Sequence, residues 1–240
     1  MQITPDFLVQ GFVWYIVFLF STTCHEASHS LAAKLGGDLT AFHGGQVTLN
    51  PLPHMRREPF GMLLVPILSY VLGGWMIGWA SAPYDPYWQA RYPRRAAWMS
   101  LAGPGANFAL MIIGAIAIRL GMLAGLFQQP VRVGFTSITE AVNPDTASSA
   151  LTFAAMFVSV LFFQNLLLGT FNLLPVPPLD GATGIAVFMT ERTALRFLEF
   201  MRDPTFSTAG IIAAWFLFDK LFEPIFTFAL NLLYPGAGYA

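Results

Sequence analysis

Charge is what this chain has least of. Of its 240 residues only 10% are Asp, Glu, Lys or Arg, and the formal net charge is −1. Soluble domains carry roughly 25% charged residues, so a fully water-exposed surface is excluded. The near-neutral balance also lacks the basic footprint that nucleic acid requires. Cysteine is almost missing: Cys24 stands alone, which excludes an internal disulfide framework and a cysteine-based zinc knuckle. It is read as a small core residue. Met1 to Asp6 contains no basic stretch, so no cleaved leader is expected. What the chain has in abundance is apolar surface, 55% hydrophobic and 15% aromatic residues with a mean hydropathy of +0.59. These proportions describe a polytopic membrane protein.

Five apolar runs stand out, Phe7 to Leu35, Phe60 to Ala82, Ala96 to Phe127, Ala147 to Phe171 and Ser207 to Leu233. Each reaches the roughly 20 residues that a spanning helix needs. Thr40 to His54 holds Gly44-Gly45, β-branched residues and two prolines, a pattern that predicts short extended strands and turns. The expected fold is an all-α bundle of about four to six transmembrane helices. It has a short strand and turn insertion after the first helix and a proline-broken helix leading to Asp180. Residues 1–240 are read as one membrane domain, with a core over about 7–190 and an accessory segment over about 207–233.

Inside the first run lies His25-Glu26-Ala27-Ser28-His29. On a helix, histidines at i and i+4 face one way and can hold one Zn²⁺ through imidazole nitrogens. The glutamate beside the first of them can act as general base on water at the metal. A catalytic zinc takes three protein ligands, and Asp180 is the strongest third candidate. Pro175, Pro177 and Pro178 forbid regular helix just before it, and unwound backbone at membrane depth lines a cavity or is buried in protein. The alternative is a surface turn in which Asp180 caps the next helix.

Three motifs now stand in order: His25 to His29; Ala102-Gly103-Pro104-Gly105-Ala106-Asn107; and Asn172 to Gly181, which reads NLLPVPPLDG. Together they resemble the site-2 protease family of intramembrane zinc metalloproteases, over about Phe12 to Phe188. Asn50-Pro-Leu-Pro-His54 resembles compact bacterial members without PDZ or CBS domains. The resemblance implies His25, His29 and Asp180 as ligands of one Zn²⁺ per chain, Glu26 as catalytic base, and Asn107 and Asn172 near the site, where either could bind substrate backbone or the oxyanion. It also implies a bacterial inner membrane. His54 is a possible auxiliary ligand, and His43 a weaker one. The chain departs from the compact members in having His54-Met55-Arg56 where they usually have His-x-Asp, and Ala182 in place of a second glycine.

A parity argument constrains the topology. If all five runs crossed, the first and fourth would be antiparallel, and His25 and Asp180 would lie at opposite faces. One intervening run must not cross, and Phe60 to Ala82, interrupted by Pro66 and Gly73-Gly74, is the weakest. Lys34, Arg56, Arg57, Arg91, Arg94, Arg95, Arg192, Arg196 and Arg202 then share one face, opposite Arg119 and Arg132. The positive-inside rule makes that face cytoplasmic and the N-terminus extracytoplasmic. The expected substrate is a single-span or signal-peptide-like segment, with the Val47-Thr48-Leu49 edge receiving it by strand addition. The rival readings are a non-hydrolytic metal carrier, since intramembrane His, Glu and Asp also mark ion pathways, and a substrate-binding pseudoprotease.

Overall fold

A computed structural model describes residues 4–239. Met1 to Ile3, part of the stretch read for a leader, lie outside the described residues. Helix α1 (Pro5–Gly36) starts where Thr4 accepts from Phe7 N–H with Pro5 in the first turn, and stops at Gly37 in the left-handed region, φ 99°. Helices α2 (Thr40–His43) and α3 (Pro51–Arg57) follow, then a π-helical turn (Phe60–Leu64), α4 (Val65–Gly73) and α5 (Pro86–Arg91). The long helix α6 (Pro93–Leu123) leads into the ribbon β1 (Phe127–Gln128) and β2 (Glu140–Ala141), paired antiparallel. Then come α7 (Ser149–Asn172), α8 (Asp180–Gly184), α9 (Glu191–Met201) and α10 (Pro204–Leu233).

Among the described residues, three helices are long and apolar enough to span a membrane: α1, α6 and α7. Helix α10 is also long but is interrupted by Asp219, Lys220 and Glu223. The three spans pack on one another around a core that includes Trp14, Phe18, Ile118, Phe162 and Phe163. Their outer faces remain apolar, with Phe12, Ile112, Ile113, Ile116 and Leu120 all more than half exposed. In water such a surface would drive aggregation; in a bilayer it faces lipid. Contacts give the directions. Gly114 lies against Phe162 and Gly169 against Phe108, so α6 and α7 are antiparallel. Ser21 meets Asn165, while the end of α1 at Gly36 meets Arg95 at the start of α6. Helices α1 and α7 are therefore parallel, with α6 running the other way.

The region between α1 and α6 is an excursion that returns to its origin. Gly74, at φ 77°, ends α4 and turns the chain back. Trp79 N–H then donates to Gly61 O and Ile77 N–H to Ser69 Oγ. The two arms touch through Gly61 and Gly78; a Cβ on either would collide with backbone oxygen of the other arm. Tyr70 donates to Phe7 O at the start of α1, and Gln164 holds the Met76 carbonyl at the tip. The exit returns to the far end of α1, where Asp38 accepts from both Thr40 and Asp85 N–H. Burial works against the Asp38 charge, but these hydrogen bonds hold its carboxyl below the ordinary carboxylate range.

Two expectations change here. Thr40 to His54 contains no strand: it forms α2, bends at Val47 to Leu49, and the start of α3. The prolines start a helix rather than prevent one, because Asn50 caps α3 through Leu52 N–H and Pro51 occupies a first-turn position that needs no donor. With no strand at 47–49, the expected edge for substrate addition is absent there. The only strand pair among the described residues lies between α6 and α7.

Candidate metal centre

Helix α1 carries His25 and His29 one turn apart on the same face, with their Nε2 atoms 2.9 Å from each other. Asp180 Oδ2 lies 3.0 Å from His25 Nε2 and 3.3 Å from His29 Nε2. The three ligating atoms fall within 4.8 Å of one another. Helix α7 ends at Asn172, the prolines carry the chain through turns, and Asp180 begins α8. Leu179, not Asp180, is the cap residue of α8, so the carboxylate is left for the histidines.

The outer nitrogens of both rings are held. His29 Nδ1 lies 2.8 Å from the Met99 carbonyl oxygen, an atom that can only accept, so Nδ1 carries the ring proton and donates. His25 Nδ1 lies 2.6 Å from Asn107 Oδ1 and donates likewise. With Nδ1 carrying the proton, each ring in its neutral form turns the Nε2 lone pair toward the other ring and toward Asp180. Two such imidazoles converging with one carboxylate are a donor set that zinc accepts. Helix α6 passes the cluster at Gly103, where there is no room for a side chain: a Cβ there would lie on His25 Nε2 and His29 Nε2.

Glu26 is buried, 4% exposed, and stands outside the three-residue cluster. Asn107 is fully buried with both amide atoms engaged, Oδ1 with His25 and Nδ2 donating to Asn165 Oδ1 at 2.9 Å. Its amide thus meets the ring of His25 at one end and Asn165 at the other. Asn172 is at the end of α7, where its Nδ2 donates to Leu168 O. His54 is buried in α3 with Nε2 3.1 Å from Thr48 O and Nδ1 without a partner. His43 lines a separate cavity of about 570 Å³, between Asp38 and Arg91. Neither histidine belongs to the cluster.

Four participants carry no signal in the sequence. Met99 contributes a backbone oxygen, which any residue has. Ser100 donates to the Asp180 carbonyl at 2.9 Å, and Asn165 and Ser21 extend the contacts of Asn107. Met99, Gly103 and Asn107 recur every four residues, so one stripe of α6 faces the cluster. That spacing was visible; what the stripe faces was not.

The chain is 29% identical over 195 residues to "Putative zinc metalloprotease YwhC" of Bacillus subtilis, covering 78% of this chain and 77% of that protein. The Rip2 proteins of Mycolicibacterium smegmatis and Mycobacterium tuberculosis, named in the same way, are 29% and 30% identical; each match covers 73% of this chain and 57% of the relative. No solved structure matches. The profile of peptidase family M50 matches residues 13–216, through every segment that builds the cluster, and the chain belongs to that family.

Proposed function

We propose that the chain is an intramembrane zinc endopeptidase in which His25, His29 and Asp180 hold one zinc ion and Glu26 is the general base. The observation that carries this is the convergence of two Nε2 atoms and one carboxylate oxygen, with the outer ring nitrogens already committed. Zinc bound there supplies a Lewis acid that acidifies water and polarises a peptide carbonyl. Glu26 takes the proton of the attacking water on its carboxylate and delivers it to the leaving amine. Asn107 and Met99 O orient the rings through Nδ1, and Ser100 holds the backbone of Asp180. Asn172 is the remaining amide available to bind substrate backbone. Replacing His25, His29 or Asp180 singly by Ala should remove zinc from the purified protein, a larger loss than the 10–100-fold typical of outer-layer changes. Retention of zinc by Asp180→Ala would overturn the assignment of the third ligand.

The substrate class follows from the setting: a single-span or signal-peptide-like segment, whose helix must unwind because its carbonyls are otherwise hydrogen-bonded. For the topology we infer four crossings, by α1, α6, α7 and α10, in a bacterial inner membrane. The excursion from Thr40 to Pro86 enters and leaves on the cytoplasmic side, and the N-terminus is extracytoplasmic. Supporting this, Arg95 Nη1 donates to Gly36 O and Arg202 to Gln89 at one end of the bundle, while Arg119 reaches Leu233 O at the other. In a Cys24→Ala background, single cysteines at positions 34 and 94 should label from the same membrane side and one at 132 from the opposite side. Labelling of 34 and 94 from different sides would exclude this topology.

A further inference from the structure

We infer that Asn165 is a positioning residue that sets which nitrogen of His25 faces the metal, acting through Asn107. The inference rests on His25 being a zinc ligand, as proposed above.

The reasoning begins at an atom whose polarity cannot be reversed. An Asn side chain can be turned end for end in a structure, so its orientation must be settled by its partners. Asn165 Nδ2 lies 2.8 Å from the Leu161 carbonyl oxygen. A peptide oxygen only accepts, and turning the Asn165 amide over would set two oxygens against each other. The NH₂ group therefore points at Leu161, and its second hydrogen reaches Ser21 Oγ, also at 2.8 Å. Asn165 Oδ1 is then the atom facing Asn107, at 2.9 Å, and it can only accept. Asn107 must answer with its NH₂, which leaves Asn107 Oδ1 toward His25 Nδ1 at 2.6 Å. That oxygen in turn requires a proton on Nδ1. In the neutral ring the lone pair of His25 is then left on Nε2, the nitrogen 3.0 Å from Asp180 Oδ2.

Each link excludes water as a substitute partner, since Ser21, Asn107 and Asn165 are all 0% exposed. The chain of amides crosses α1, α6 and α7, so it also ties the three spans together at the depth of the cluster. His29 needs no such relay, because the Met99 carbonyl sets its tautomer directly. His25 has no backbone oxygen in that place, and a lone Asn107 amide could face it either way round.

The test compares two substitutions of similar size. Asn165→Leu removes the acceptor, frees Asn107 to turn over, and should weaken zinc binding by about 10–100-fold. Asn165→Asp keeps an oxygen toward Asn107, and in its protonated form keeps the donor toward Leu161, so zinc affinity should stay within about threefold, well short of that loss. Nitrogen-15 spectra of histidine-labelled, metal-free wild-type protein in bilayers should show His25 protonated at Nδ1. The Leu variant should show a mixture of both tautomers. Equal zinc affinity in wild type and Asn165→Leu, equal loss in both variants, or a wild-type His25 with no proton on Nδ1 would each overturn the inference. If the Leu variant does not fold, Asn165→Ala, which also removes the acceptor toward Asn107, takes its place in both measurements. A wild type that binds no zinc would instead defeat the metal assignment itself.

Discussion

Glu26→Gln should leave zinc bound at one ion per chain and lower cleavage of a transmembrane model substrate by about 10²–10⁴-fold, the range a general base contributes. Glutamine has nearly the shape of glutamate, and Glu26 lies outside the ligand cluster, so the metal should not sense the change. What is lost is an oxygen able to accept a proton, since a neutral amide is far too weak a base. The comparison also separates protease from carrier. In a carrier that uses Glu26 on an ion pathway, the substitution would alter metal passage, and no peptide bond would be cut by either protein. Wild-type turnover in the Gln variant would remove Glu26 from its assigned role, and loss of zinc would make it a ligand.

Gly103→Ala should abolish zinc binding while the metal-free protein remains folded. The added Cβ would lie on the two Nε2 atoms. The rings can yield only by giving up their hydrogen bonds to Asn107 and to Met99 O. Intrinsic preference works in the opposite direction, because Ala is favoured over Gly in a helix interior by about 0.8–1 kcal/mol. The expected pattern is therefore a metal-free protein that folds with somewhat lower thermal stability, since each buried hydrogen bond given up costs about 1–3 kcal/mol, together with zinc affinity reduced more than about 100-fold, beyond the cost of outer-layer changes. Gly105 provides the control: it lies in the same helix, and a Cβ there meets nothing within 4 Å. Equal zinc binding by Gly103→Ala and Gly105→Ala would show that α6 does not wall the site.

The spacing of His25 and His29 settles by itself that two imidazoles share a helix face, because helical periodicity is local. Scarcity of charge and the apolar runs likewise mark the chain as a membrane protein, since cost in the bilayer is set residue by residue. The need for one run to turn back was also legible, because parity follows from chain order alone. Thr40 to His54 suggests strands but forms helix for a local reason: Asn50 and Pro51 start a helix as readily as they make a turn, and only packing against α1 selects between them.

The rest belongs to tertiary structure. That Asp180 faces the histidines depends on α1 and α7 being parallel and on where the prolines deliver the chain. The Met99 carbonyl has no signature in a side-chain code. Asn107 was visible as part of a motif, but whether it serves substrate or ligand depends on what meets its other end. Asn165 lies 58 residues from Asn107 and 144 from Ser21. Directional bonds between such distant positions arise only once three helices pack, and they settle which nitrogen of His25 is left to bind.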